Sequence, residues 1–206
     1  MTPRAVLWDL DGTLADSRDY HWQSWRETMA GAGVHVTEAQ FAASFGQRND
    51  AILPAWMGPG ATPENVRRLG DAKEALYREL IARDGLVPLP GAAAWVARLH
   101  REGWRQAIAS SAPKQNVELM ARVLGLAQHI SVLVGAEDVR HGKPDPEVFL
   151  TAASKLGVPP DRCVVVEDAA AGIEAARRAG MKSILVGGDV SLDRLPADAF
   201  DRLSGT

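Results

Sequence analysis

Short, mostly apolar runs separated by helical patterns restrict this chain more than any other feature. Ala5-Val6-Leu7-Trp8 stops abruptly at Asp9. Gln106-Ala107-Ile108-Ala109, Val132-Leu133-Val134, Cys163 to Val166 and Ser183-Ile184-Leu185-Val186 repeat the theme. Strands buried on both faces read this way, and parallel sheets are made of them. Between them lie helical patterns over Ala92 to Arg101, Lys114 to Leu124, Pro146 to Leu156 and Ala169 to Ala179, the last closed by Gly180. In Lys114 to Leu124 the apolar positions are Val117, Met120, Val123 and Leu124. Strand alternating with helix predicts an α/β fold with a doubly wound, mostly parallel sheet.

Residues 16 to 87 interrupt that rhythm. Tyr20 to Met29, Glu38 to Ser44, Asn49 to Met57 and Pro63 to Ala82 each carry helical spacing, and no strand is evident. Gly31-Ala32-Gly33, Gly58-Pro59-Gly60 and the stretch from Pro88 to Gly91 punctuate them. The expected organisation is an α/β core from residues 1–15 and 88–206, with a helical insert of residues 16–87 after the first strand. The polar tail from Ser191 to Thr206 is expected to be a short terminal helix or a loose end.

Composition narrows the function. A 206-residue chain of 22.1 kDa is large enough to bury a core without a metal or disulfide staple. Its 23 Lys+Arg against 26 Asp+Glu give a net charge of −3, and no basic run suggests a nucleic-acid partner. No apolar stretch is long enough for a membrane span, and no basic-then-apolar leader suggests secretion. The one cysteine, Cys163, excludes an internal disulfide and a cysteine-built zinc site. A buried thiol in a strand fits a reducing cytoplasm. Trp8, Trp56, Trp95 and Trp104 are read as packing residues.

The strongest chemical signal follows the first strand: Asp9-Leu10-Asp11-Gly12-Thr13. At ordinary residue usage, Asp-x-Asp-Gly-Thr arises by chance in roughly three of a thousand chains of this length. Turn propensity explains Gly12, but not two carboxylates at the carboxyl end of a buried strand, where α/β folds place ligands. Such close anions repel unless a cation or proton lies between them. A second acidic pair, Glu167-Asp168, follows the strand Cys163 to Val166. Acids also favour a helix first turn, yet four acids at one sheet edge would make a magnesium site of hard oxygen ligands completed by water. Ser110-Ser111 ends another strand, and Lys143 lies in the turn Gly142-Lys143-Pro144-Asp145-Pro146. A hydroxyl and an ammonium there suit phosphate oxygens. Taken singly, each also reads as a helix cap or a solvated side chain.

Taken together, Asp9-x-Asp11-Gly12-Thr13-Leu14, Ser110, Lys143-Pro144 and Glu167-Asp168 resemble the four ordered motifs of the haloacid dehalogenase-like superfamily. The helical insert after the first motif is similar to the small-capped phosphatase and β-phosphoglucomutase branch. The resemblance runs from Arg4 to about Gly187. It implies a Rossmann-like core and a set of roles. Asp9 would be the nucleophile and Asp11 the general acid, then base. Thr13 would steady the acid or a phosphoryl oxygen, and Ser110 and Lys143 would grip the transferring group. Magnesium would be held by Asp168, an Asp9 oxygen and the Asp11 backbone carbonyl, with Glu167 acting mostly through water. The superfamily's name-giving dehalogenases typically lack a carboxylate at the position of Asp11, so its presence favours phosphoryl transfer.

In the insert, Asp16-Ser17 resembles a hinge, and His21-Trp22-x-x-Trp25 resembles the first cap helix of the mutase branch. Gly46-Gln47-Arg48-Asn49-Asp50 resembles its substrate loop, and Lys73 a cap lysine. Candidate substrate contacts are therefore His21, Trp25, Gly46, Arg48, Lys73 and Ser111. His21 and Trp25 share a helix face, and at least one of Trp22 and Trp25 is expected to be cap core. The loop departs from the mutases in having one residue fewer between glycine and arginine, and Phe45 in place of a lysine. A mutase must hold a second phosphate in the cap, so losing that cation favours a magnesium-dependent phosphatase of a small phosphorylated metabolite. A mutase remains the alternative, acting as a monomer or weak dimer like the phosphatase. From another class, a phospho-receiver would be shorter and would place its acid pair and phospho-acceptor on separate strands. A binding protein that kept the site would show no turnover.

Overall fold

The computed structural model describes residues 3–203. It divides into two compact units, one of the residues up to Asp16 and from Leu86 on, the other Ser17–Gly85.

The first unit is built on a five-stranded, wholly parallel sheet in the order β3-β2-β1-β4-β5. The strands are β1 (Ala5–Trp8), β2 (Arg105–Ala109), β3 (Val132–Val134), β4 (Cys163–Glu167) and β5 (Lys182–Leu185). β1 is central: Ala5 pairs with Arg105 of β2 and with Cys163 of β4, and the register runs on to Trp8 against Ile108 and Val166. Every residue of β1 is buried because both faces are covered. Ala5 and Leu7 face a core with Phe149, Ala152, Ala175 and Ala176. These come from α7 (Glu147–Leu156) and α8 (Ala170–Arg178). Side chains alternate along a strand, so Trp8 points the other way. There its indole donates to Gln106 Oε1 at 2.9 Å, and the Gln106 amide donates to the Val96 carbonyl at 2.9 Å. This pairing explains how a glutamine sits wholly buried in β2. Val96 belongs to α5 (Ala92–Arg101), and α6 (Lys114–Val123) packs against β3.

The second unit is helical: α1 (Arg18–Gly31), α2 (Glu38–Ser44), α3 (Asn49–Met57) and α4 (Pro63–Asp84). α4 begins with Pro63 at its first turn, after Thr62, whose hydroxyl accepts from the Asn65 N–H. Thr37 and Gln40 form a reciprocal capping box on α2. Trp25, Met29, Phe41, Ile52, Leu53 and Leu69 make this unit's own core. Tyr20 donates to the Gly85 carbonyl at 3.0 Å, tying the start of α1 to the end of α4.

Of the two expectations for the tail, a short helix or a loose end, the structure has the helix. Phe200, in the short α9 (Ala199–Leu203), is 2% exposed. Its ring lies 4.9 Å from Trp95, 5.9 Å from Trp8 and 6.0 Å from Trp104, centroid to centroid. The Trp95 indole donates to the Leu192 carbonyl at 2.7 Å, and Arg4 pairs with Asp201 at 2.8 Å. Residues 204–206 of the tail lie outside the described residues.

Candidate active site

Asp9 follows β1 directly and prolongs its ladder: its N–H donates to the Val166 carbonyl at 2.9 Å. β1 lies between β2 and β4, and the chain reaches β2 and β3 on one side before crossing to β4 and β5 on the other. That reversal is the point at which open α/β sheets leave a crevice beyond their strand ends. Glu167 and Asp168 end the neighbouring strand. Oxygens of Asp9, Glu167 and Asp168 come within 4.8 Å of one another.

Lys143 arrives from the loop before α7. Its ammonium donates to Asp9 Oδ1 at 2.5 Å and to Glu167 Oε2 at 2.7 Å, and its side chain is only 6% exposed. It lies 5.1 Å from the centroid of the Phe149 ring. Burial, and then the charge of Glu167, push the Asp9 carboxyl well above its ordinary 3.8, with Lys143 pulling the other way. Burial and Glu167 likewise lift Asp168 to about 6. Burial opposes the charge on Lys143, yet Asp9 and Glu167 together hold its pKa above the ordinary value. Three carboxylates against one ammonium leave the cluster short of positive charge. Hard oxygen donors with an unmet negative charge suit magnesium, so the donor set fits the ion.

Two glycines make room for this packing. Gly12 has φ +87, and a Cβ there would stand 2.2 Å from Asp168 Oδ2. Gly172, in the first turn of α8, leaves space that the Glu167 carboxylate fills: a Cβ would come within 2.0 Å of Glu167 Cδ. In the sequence Gly172 reads only as part of the run that opens a helix after Glu167-Asp168. Its signal was a glycine in the first turn of a helix, which costs about 1 kcal/mol relative to alanine without a packing reason.

The remaining core candidates lie at the same sheet edge. Thr13 donates to Asp168 Oδ1 at 3.3 Å, a bond to a candidate metal ligand. The Asp11 carboxylate stands outside the set gathered around Asp9. Ser110, following β2, is buried, and its Oγ accepts from the Ala112 N–H at 3.0 Å. Its own O–H proton remains a donor. Ser111 is half-buried in the turn that leads to α6.

The helical unit gathers three of its candidates. Lys73 Nζ lies 2.8 Å from His21 Nδ1, donates to Glu74 Oε1 at 2.9 Å, and stands 5.1 Å from the Trp25 ring centroid. His21 stacks on Tyr77 at 4.1 Å. Asn49 donates to the same Glu74 oxygen at 2.8 Å. Trp25 is 2% exposed and packs edge-on against Trp56, so it is core, as one of the two tryptophans was expected to be. Gly46 and Arg48 lie in the turn between α2 and α3. Gly46, φ +81, turns the chain out of α2. Arg48 precedes α3 and grips Asp50 with two bonds, Nε to Oδ1 at 3.1 Å and Nη2 to Oδ2 at 2.9 Å.

Comparison with known proteins agrees with this geometry. Residues 3–180 match the haloacid dehalogenase-like hydrolase family. The chain is 30% identical to the fructose-1-phosphate phosphatase YqaB of Escherichia coli over 182 residues, covering 87% of this chain and 94% of that protein. It is 31% identical to the β-phosphoglucomutase of Bacillus subtilis over 192 residues, covering 89% and 83%. The crystal structure of β-phosphoglucomutase from Clostridium difficile superposes with a TM-score of 0.87 over 98% of this chain and 97% of that one. At 24% identity, that likeness speaks for the fold alone. With the family matched over most of its length and the acid pairs assembled at one sheet edge, the chain belongs to the haloacid dehalogenase-like hydrolases.

Proposed function

We propose that this chain is a magnesium-dependent phosphatase that hydrolyses a small phosphorylated metabolite, of the sugar phosphate class, through an aspartyl-phosphate on Asp9. One observation carries the reading. A buried carboxylate at the end of the central strand is held by an ammonium that also binds Glu167, with Asp168 alongside.

Asp9 would attack phosphorus through a carboxylate oxygen, and the bond to the ester oxygen would break. Asp11 would give its proton to that leaving oxygen. Asp11, now ionised, would take a proton from water as the water attacks phosphorus. Cleavage of the Asp9–phosphorus bond would then release inorganic phosphate and restore both side chains. Lys143 and the Ser110 hydroxyl would bind the oxygens of the transferring group, and Lys143 would orient Asp9. Asp9 and Asp168 would hold magnesium together with the Asp11 backbone carbonyl, and Glu167 would act mostly through water. When bound, the ion supplies positive charge that keeps Asp9 ionised and offsets charge on the phosphoryl group.

A β-phosphoglucomutase-type reaction is the second reading, favoured by the Bacillus subtilis relative. It would use the same phosphorylated Asp9 but return the group to a sugar hydroxyl. Phe45, beside Gly46, weighs against it, because a mutase needs cations for a second phosphate. A panel of phosphorylated metabolites with magnesium, scored for released phosphate, tests the phosphatase reading. β-Glucose 1-phosphate, scored for glucose 6-phosphate, tests the mutase. Phosphate release from sugar phosphates is expected. Glucose 6-phosphate formation without phosphate release would favour the mutase, and no turnover of any ester would favour a binding protein.

A further inference from the structure

We propose that Glu147 is a positioning residue that sets Lys143 in place, a reading that rests on the role given above to Lys143. Lys143 reaches Asp9 from a loop, so the geometry at the nucleophile depends on how that loop is anchored. Glu147 Oε2 accepts from the backbone N–H of Arg140 and from that of His141, both at 2.9 Å. One carboxylate oxygen on the first residue of α7 thus clips the loop two and three residues before Lys143.

The rest of the loop is closed by other groups. Asp145 N–H donates to the Gly142 carbonyl at 3.0 Å, which turns the chain around Lys143. Asp145 Oδ1 accepts from the Glu147 N–H at 3.0 Å and caps α7. Because Asp145 does the capping, Glu147 is free to reach backward, away from its own helix. An acid in a first turn is often explained by the helix dipole alone. That explanation does not require its oxygen to hold two N–H groups upstream. Those two bonds lower the Glu147 carboxyl below its ordinary 4.5, the one from His141 most strongly, so the clip is charged near neutral pH. The result is a chain of contacts from the root of α7 to the loop, to Lys143, and to Asp9 and Glu167.

A competing reading is that His141, Asp145 and Glu147 act as a side-chain cluster, since their donor atoms lie within 4.8 Å of one another. His141 is exposed, and its Nδ1 stands 3.5 Å from Glu147 Oε2. The clip uses the His141 backbone, so the side chain is dispensable to it.

Two readouts on Glu147→Ala, Glu147→Gln and His141→Ala decide the matter. One is kcat and KM for p-nitrophenyl phosphate with magnesium. The other is the rate at which an amine reagent labels Lys143, followed by peptide mass mapping, which needs no turnover. Glu147→Ala should label faster at Lys143 and lose kcat by on the order of tenfold to a hundredfold, the cost of a misplaced catalytic group. KM should change less than kcat. Glu147→Gln keeps an accepting oxygen and should recover both readouts to within a few-fold. His141→Ala should match the wild type. Unchanged labelling and kcat in Glu147→Ala would overturn the proposal. So would equal loss in His141→Ala, or a Gln variant no better than Ala. A wild type that releases no phosphate would remove the phosphatase reading, leaving the Lys143 labelling to judge the clip.

Discussion

A side chain at Gly172 would collide with Glu167: its Cβ would stand 2.0 Å from Cδ and 2.1 Å from Oε2. Both atoms belong to the carboxylate that shares Lys143 with Asp9. The bare backbone of α8 is therefore part of what fixes the charge arrangement at Asp9.

Gly172→Ala should separate stability from activity. Alanine is the better helix former by about 1 kcal/mol, which offsets part of the strain. The methyl must displace the Glu167 carboxylate, and Lys143 then loses one of its two anchors. Turnover is expected to fall on the order of a hundredfold, as for a catalytic group moved by about 1 Å, with a smaller change in Tm. Steady-state kinetics beside thermal unfolding checks this. Full activity would mean that Glu167 does not need its present position.

Chelation should abolish phosphate release and lower Tm. Magnesium should restore both, and calcium should inhibit, because it prefers more and longer oxygen bonds. The sign of the pH dependence follows from Asp168, which burial and Glu167 lift from 3.8 to about 6. In the metal-free chain the folded form holds that proton over a range where the unfolded form has lost it. Metal-free stability from this group is therefore lost as pH rises from about 4 through 6. Metal needs the ionised carboxylate, so the Tm gain from magnesium should be larger at about pH 8 than at about pH 5. A gain independent of pH would place the ion elsewhere.

The helical unit should be acid-sensitive through Glu74. Burial opposes its ionisation, but Lys73 and the Asn49 amide hold it below its ordinary 4.5. Its contribution is present above that value and lost as pH falls through the lower folded one. Lys73→Met removes the ammonium from beside the buried Glu74 carboxylate and should cost about 3–5 kcal/mol, and adding Glu74→Leu should recover much of it. Denaturant unfolding of the single and double variants measures both. Additive losses would show that the pair is not coupled.

Phe200→Ala should destabilise the first unit by about 3–5 kcal/mol, the range for removing a large buried ring. A loss under about 0.5 kcal/mol, as for an exposed surface residue, would mean that the tail is not packed as described.

That last expectation also marks where the sequence stopped being legible. The strands were readable because both faces of the sheet are covered, so Ala5 to Trp8 carries no polar residue to blur it. Asp9, Lys143, Glu167 and Asp168 were readable because chemistry at strand ends leaves an ordered trace along the chain. In the tail, the burial of Leu192 and Phe200 was not, because Asp193, Arg194, Asp198 and Asp201 around them make the stretch look solvated. Lys73 was singled out only as a candidate substrate contact, and its burial beside Glu74 comes from tertiary packing that the sequence does not display. β5 lies one residue earlier than its apolar run suggests, because pairing with β4 places Lys182 opposite Val164. Glu147 gave no signal, since backbone N–H groups are invisible in a sequence.

The central claim is that Asp9 carries the phosphoryl group. Turnover with magnesium, quenched in acid and treated with hydroxylamine, converts an acyl phosphate to a hydroxamate that peptide mass mapping can locate. The account predicts a hydroxamate at Asp9 in the wild type and none in Asp9→Asn, which should fold normally and lose phosphate release by several orders of magnitude. A hydroxamate on another residue, or wild-type turnover in Asp9→Asn, would contradict it.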